Sequence, residues 1–74
     1  MNPKLHLYEI TYRPFNEIWQ IYPVPNVPNE CELCKVKIMY AVDGTVAQYG
    51  YWTESTSVGD AFIEGLEAIR KALA

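Results

Sequence analysis

The sequence predicts an α+β fold: a four-stranded antiparallel sheet built from two hairpins, with one C-terminal helix packed on one face. Three observations predict it. Residues 5–53 hold short stretches of period-two alternation separated by turn residues, as half-buried strands do. Asp43-Gly44 lies between two such stretches, a strong short-range hairpin signal. From Val58 onward the apolar residues instead recur at i, i+3 and i+4, the period of an amphipathic helix.

The first strand covers residues 5–13, with His6, Tyr8, Ile10 and Tyr12 on one face and Leu5, Leu7, Glu9, Thr11 and Arg13 on the other. Pro14-Phe15-Asn16 reads as a three-residue loop, because Pro presets φ and Asn tolerates the left-handed conformation. That loop pairs Arg13 with Glu17 and Tyr12 with Ile18. Tyr8, Ile10, Tyr12, Ile18 and Tyr22 then share a face, while Trp19 and Ile21 point the other way across residues 17–24. Residues 23–29 carry three prolines and cannot continue as a central strand, so they read as a stiff extended connector.

The third strand, residues 32–42, places Cys34, Val36, Ile38, Tyr40 and Val42 on the core face. A two-residue type I′ turn at Asp43-Gly44 sets the register of residues 45–53. Val36 then opposes Tyr51, Ile38 opposes Tyr49 and Tyr40 opposes Ala47. On the reverse face Met39 meets Gln48, Lys37 meets Gly50 and Lys35 meets Trp52. Ser57 is the expected helix N-cap, with Asp60 after it in a shortened capping box. Val58, Ala61, Phe62, Gly65, Leu66, Ile69, Ala72 and Leu73 form the buried stripe, and Asp60, Glu64, Glu67, Arg70 and Lys71 the outer side. Gly65 in that stripe lowers helix propensity by about 1 kcal/mol, which predicts a close approach of the helix backbone to the sheet.

With 74 residues there is room for a single domain, residues 1–74. A chain of this size buries only about 60% of its unfolded surface, so its stability margin is thin. Half of the residues are apolar, with six Tyr, two Trp and two Phe, which favours a packed globule with aromatic area left for a partner. Nine acids against six bases give a net charge of −3, which disfavours a nucleic-acid partner or an anionic membrane. Met1-Asn2-Pro3-Lys4 leads into charged, alternating sequence rather than an apolar signal core, and no stretch is long enough to span a bilayer. Two cysteines do not make a disulfide scaffold, so the expected location is the cytoplasm, with both thiols reduced.

No segment carries the pattern of a catalytic site, and the reading is non-enzymatic, with no cofactor. Cys31-Glu32-Leu33-Cys34 has CxxC spacing, but a zinc site needs four ligands and the chain adds only His6. A redox CxxC opens a helix, whereas here a strand follows. A metal-linked or redox module is therefore an alternative reading, beside a Cys34 that is simply buried. Six tyrosines suggest a stacking platform for single-stranded nucleic acid, a further alternative, although most fall on the core face and no basic groove accompanies them.

The order of strands followed by a helix is similar to the end of double-stranded-RNA-binding domains. This chain lacks their first helix, and Ser57-Val58-Gly59-Asp60 carries no Lys, so RNA binding does not carry over. Residues 57–69 also resemble the helix of HicB-type antitoxins, where a capping residue is followed by acid-Ala and then Glu-Ala-Ile, here Asp60-Ala61 and Glu67-Ala68-Ile69. The third strand and the proline connector depart from that family, and the resemblance is confined to the helix.

One helix covers one face of a sheet, so the opposite face meets water or a partner. In the registers above that face carries Leu7, Trp19, Ile21, Met39 and Trp52, with Lys35 and Lys37 among them. Trp and Met are favoured at interfaces, and Lys35 is placed for a cation–π contact with Trp52. The functional expectation is a small interaction protein, an inhibitor, neutraliser or accessory subunit of phage or mobile-element type. It binds a protein partner, or a second copy of itself as a homodimer, through this face.

Overall fold

The first and last strands meet at the centre of the sheet. In the computed structural model, which describes residues 4–25 and 30–74, β1 (His6–Arg13) pairs antiparallel with both β2 (Ile18–Pro23) and β4 (Val46–Ser55). A 3-10 turn (Glu30–Glu32) precedes β3 (Val36–Tyr40), which pairs with the far side of β4 and gives the order β2-β1-β4-β3. The helix α1 (Val58–Leu73) lies over β4 and β1. This is the α+β architecture of two hairpins and one C-terminal helix that the sequence predicts.

The two central strands supply the buried residues because only they are flanked on both sides and covered by the helix. Ile10 opposes Tyr51, and Tyr12 opposes Tyr49. With Ala61 and Ile69 from α1, the buried residues Ile10, Tyr49 and Tyr51 make the core. Ser57 caps the helix as expected, its hydroxyl accepting from the Asp60 N–H at 3.2 Å. The buried stripe is narrower than its apolar pattern: Val58, Ala72 and Leu73, at the two ends of α1, are exposed.

The first hairpin corrects the expected register by one residue. Its loop has four residues, 14–17, with the Glu17 N–H reaching the Pro14 carbonyl at 3.4 Å. The left-handed position falls on Glu17, at φ 53°, not on Asn16. Arg13 therefore opposes Ile18, Tyr12 opposes Trp19 and Ile10 opposes Ile21. A shift of one sends every side chain of the strand to the other face. Trp19 and Ile21 turn toward the helix, and Ile18 and Tyr22 turn away. The energetic reason is burial. A left-handed non-glycine residue costs on the order of 1–2 kcal/mol. Burying a large apolar side chain stabilises by about 1.5–3 kcal/mol, and a good aromatic pair adds about 0.5–1.5. The alternative face would have put Gln20 inward between Ile18 and Tyr22. The Trp19 ring stacks on Tyr12 at 4.4 Å and meets the Phe62 ring edge-on at 6.3 Å.

In the second hairpin the expected pairs Val36–Tyr51, Ile38–Tyr49, Lys37–Gly50 and Met39–Gln48 all form. The turn differs. Asp43 has no positive φ, so a type I′ turn is ruled out, and only Gly44 is left-handed, at φ 88°. The Gly44 N–H donates to the Ala41 carbonyl at 3.0 Å and the Ala41 N–H to the Thr45 carbonyl at 2.8 Å, a loop of residues 42–44. A shift between Met39 and Tyr40 then pairs Tyr40 with Val46 instead of Ala47. The longer loop and this bulge offset each other, which is why the rest of the ladder keeps its expected register. Val42, expected in the core, sits fully exposed at the loop tip. β3 is also shorter than the expected 32–42, because Cys34 adopts φ 61° and redirects the chain before Val36. Pro23 closes β2 at an edge, where its missing N–H leaves no central ladder broken, and the Val24 N–H adds a bond to the Leu7 carbonyl at 2.9 Å. Residues 26–29 of the proline connector lie outside the described residues.

Gly65 brings helix and sheet together as expected. A Cβ placed there would stand 2.7 Å from both Cβ and Cγ1 of Ile10. Those atoms sit at the root of a fully buried side chain and have nowhere to move. Gly59, at the start of the same helix, has open space around its Cα. Gly65→Ala is therefore expected to lower stability by about 1–3 kcal/mol in denaturant unfolding, overpacking outweighing the gain in helix propensity. Gly59→Ala is expected to leave stability unchanged or raise it. Equal effects of the two substitutions would contradict the close approach.

Candidate interaction surface

Among the described residues no helix or strand is layered over the sheet face opposite α1. By the observed registers this face holds Leu7, Glu9, Thr11 and Arg13 from β1, Ile18, Gln20 and Tyr22 from β2, Lys37 and Met39 from β3, and Gln48, Gly50, Trp52 and Glu54 from β4. Of the residues expected to form the surface, Leu7, Met39, Lys37 and Trp52 are brought together here. Trp19 and Ile21 are not: they pack beneath the helix side with the core, for the register reason given above. Lys35 is exposed just ahead of β3.

The centre of the face is a shallow groove of about 130 Å³ lined by Glu9, Lys37, Met39, Gln48, Gly50 and Trp52. Gly50 makes its floor. It is buried between Lys37 on β3 and Thr11 on β1, and a Cβ there would meet only the Glu9 carboxylate, at 3.7 Å. Gln48 links the walls: its Oε1 accepts from Arg13 Nε at 3.1 Å, and its Nε2 lies 3.9 Å from the Met39 sulfur.

Trp52 closes the other end. Its ring carries the Lys37 ammonium at 4.7 Å from the centroid, and Lys37 also lies 3.5 Å from a Glu32 carboxylate oxygen. The expected cation–π partner was Lys35. Lys37 takes that place because β3 begins only at Val36, after Lys35: Leu33 forms an isolated parallel bridge with Trp52, and the Cys34 N–H donates to the Trp52 carbonyl at 2.8 Å. The indole Nε1 is buried without a hydrogen-bond partner.

Cys34, expected to be buried in the strand, is exposed in the turn, as is Cys31, and neither forms a disulfide. Among the described residues no three His, Cys, Asp or Glu side chains gather as a metal site. His6 is exposed at the start of β1, its ring 6.5 Å from that of Tyr8. No helix among the described residues is long and apolar enough to cross a membrane.

One polar cluster on the helix side escaped the sequence reading. Glu64, expected on the outer side of α1, turns its carboxylate back to accept from the Thr53 hydroxyl at 2.8 Å and the Tyr51 hydroxyl at 3.1 Å. The signal was present: Thr53 continues the inward alternation of Tyr49 and Tyr51, and a threonine buried there needs a polar partner. Burial, with hydrogen bonds to Cys34 and Glu64, pushes the Tyr51 phenol up from its ordinary 10.0.

Comparison with protein-family models, curated proteins and solved structures found no match to this chain.

The raised Tyr51 phenol sets a sign for alkaline stability. Folding holds its proton above pH 10.0, where the unfolded chain releases it, so stability falls as pH rises through that range. Tyr51→Phe is expected to flatten the fall when unfolding free energies are measured on either side of pH 10, although the variant starts from a lower value for want of the Glu64 bond. An unchanged slope would remove Tyr51 from the alkaline transition.

Proposed function

We propose that this protein is a non-enzymatic interaction module that binds a protein partner through the sheet face opposite α1. The partner inserts an apolar side chain into the groove over Gly50. The observation that carries the reading is the position of Trp52: a half-buried indole at the end of the groove floored by Gly50, on a face over which no strand or α-helix is layered among the described residues. Trp is a favoured interface anchor, and Met39, Ile18 and Tyr22 extend exposed apolar surface around it. Glu9, Arg13, Lys37 and Glu54 mix signs around the groove, which suits a protein surface better than a phosphate backbone. A short acidic chain without a catalytic constellation fits an inhibitor, neutraliser or accessory subunit of phage or mobile-element type, acting in the cytoplasm.

Gly50 offers a test that spares the fold. A Cβ at this position meets no backbone within 4 Å, and valine there raises strand propensity and fills the groove floor. In affinity capture from the native host, Gly50→Val is expected to lose the partner by at least about tenfold, equivalent to about 1.4 kcal/mol. Its thermal stability should match or exceed that of the parent. Ile63→Asp, on the exposed side of α1, is expected to retain the partner. Retention by a folded Gly50→Val and loss by Ile63→Asp would move the interface to the helix.

A further inference from the structure

The two edges of the sheet are built differently. β2 ends in Pro23, and Pro25 follows. Prolines at an edge remove donors and discourage pairing with another chain. β3 has no proline: it reads Val36-Lys37-Ile38-Met39-Tyr40, and no strand pairs with its outer side among the described residues. The side chains of Ile38 and Tyr40, on the helix side of this edge, are 39% and 65% exposed because α1 lies over β1 and β4.

The backbone of β3 has a defined polarity. The Ala41 N–H points at β4, to the Thr45 carbonyl. Backbone groups alternate along an antiparallel strand, so Met39 and Lys37 also turn theirs to β4. Val36, Ile38 and Tyr40 turn their N–H and C=O groups outward.

We propose that β3 pairs antiparallel with β3 of a second copy, across a two-fold axis through Ile38, and joins two sheets into one continuous sheet. In this register Ile38 opposes its own copy, Val36 opposes Tyr40 and Lys37 opposes Met39. Every outward backbone group of the strand is then paired. The helix-side row is apolar throughout, and no like charges oppose one another on the other row. Alternative registers fail on geometry. A slip of one sets outward backbone groups against inward ones. An axis at Val36 sets Ile38 against Cys34, whose φ of 61° takes it out of the strand. An axis at Tyr40 sets Ile38 against Val42, in the turn. Among the possible two-fold axes only the one at Ile38 pairs all three outward residues, Val36, Ile38 and Tyr40, with one another, so the edge is self-complementary and the occupant is a second copy in an isologous contact, the same patch meeting itself. One strand pair buries less than the roughly 1,200–2,000 Å² of a standard stable interface, so the dimer is reversible and depends on concentration. The face bearing Trp52 stays open, and this pairing does not rest on the interaction role proposed above.

Sedimentation equilibrium over a concentration series tests the proposal. The parent chain is expected to show a monomer–dimer equilibrium. Ile38→Pro removes an outward N–H that β4 does not use, and should give a folded monomer with an unchanged circular dichroism spectrum. A second measurement does not depend on how that variant folds. With Cys31 and Cys34 both replaced by Ser, Ile38→Cys should form an interchain disulfide under mild oxidation, and Gln20→Cys on β2 should not. A parent chain monomeric across the series, a dimer that fails to cross-link through Ile38→Cys, or a dimer abolished by Gly50→Val would each overturn edge pairing.

Discussion

The bare backbone of Gly65 resting on Ile10 sets the geometry of the whole molecule. With no side chain between them, α1 sits close to β1, and the small Ala61 lets the helix settle across β1 and β4 together. Close seating gives a small core strong contact, which matters in a chain with so thin a margin. It also limits what one helix can cover. Phe62 reaches toward β2 and meets Trp19, while the β3 side is left with Ile38 and Tyr40 partly in water. The reverse face receives no second layer among the described residues. The asymmetry of the surface is therefore a consequence of how the core is packed.

That packing also explains which parts were legible beforehand. The helix could be read in detail because its signals are local: the Ser57 cap, the apolar stripe and the glycine within it all act over a few residues. The ladder between β3 and β4 could be read because Gly44 confines the turn to a narrow range. Even there the turn is not the type I′ that Asp43-Gly44 predicts, and a bulge beside Ala47 offsets the longer loop. The first hairpin could not be read from its loop. Pro14-Phe15-Asn16-Glu17 supports a loop of three or four residues, and local preference places the left-handed position at Asn16 rather than Glu17. The outcome rests on a tertiary interaction, the burial of Trp19 against Tyr12 and Phe62.

Four of the seven expected surface residues, Leu7, Lys37, Met39 and Trp52, lie on the face; Trp19 and Ile21 are lost with the first ladder, and Lys35 with the shortening of β3. Trp52, Met39 and Lys37 depend on the second hairpin and fall where expected; Trp19 and Ile21 depend on the first and do not. Losing one indole sharpens the remaining surface. Trp19 is accounted for by the core, whereas Trp52 keeps an unpaired donor beside a glycine-floored groove and has no comparable role in packing the helix. The polar cluster of Glu64, Thr53 and Tyr51 lies on the opposite side and ties the helix to β4. The face around Trp52 and the edge at Ile38 thus draw on different features, one a side-chain groove and the other a row of backbone groups.

The division of labour between the two tryptophans is the claim on which the functional reading stands. A two-dimensional nuclear Overhauser spectrum of the protein tests it most directly. The account predicts cross-peaks from the Trp19 ring to Phe62 and Tyr12. It also predicts cross-peaks from the Trp52 ring to Lys37, whose ε-methylene protons shift upfield because the ammonium lies over the indole. Cross-peaks joining Trp52 to Ala61, Phe62 or Ile69 would place that indole under the helix and contradict the account.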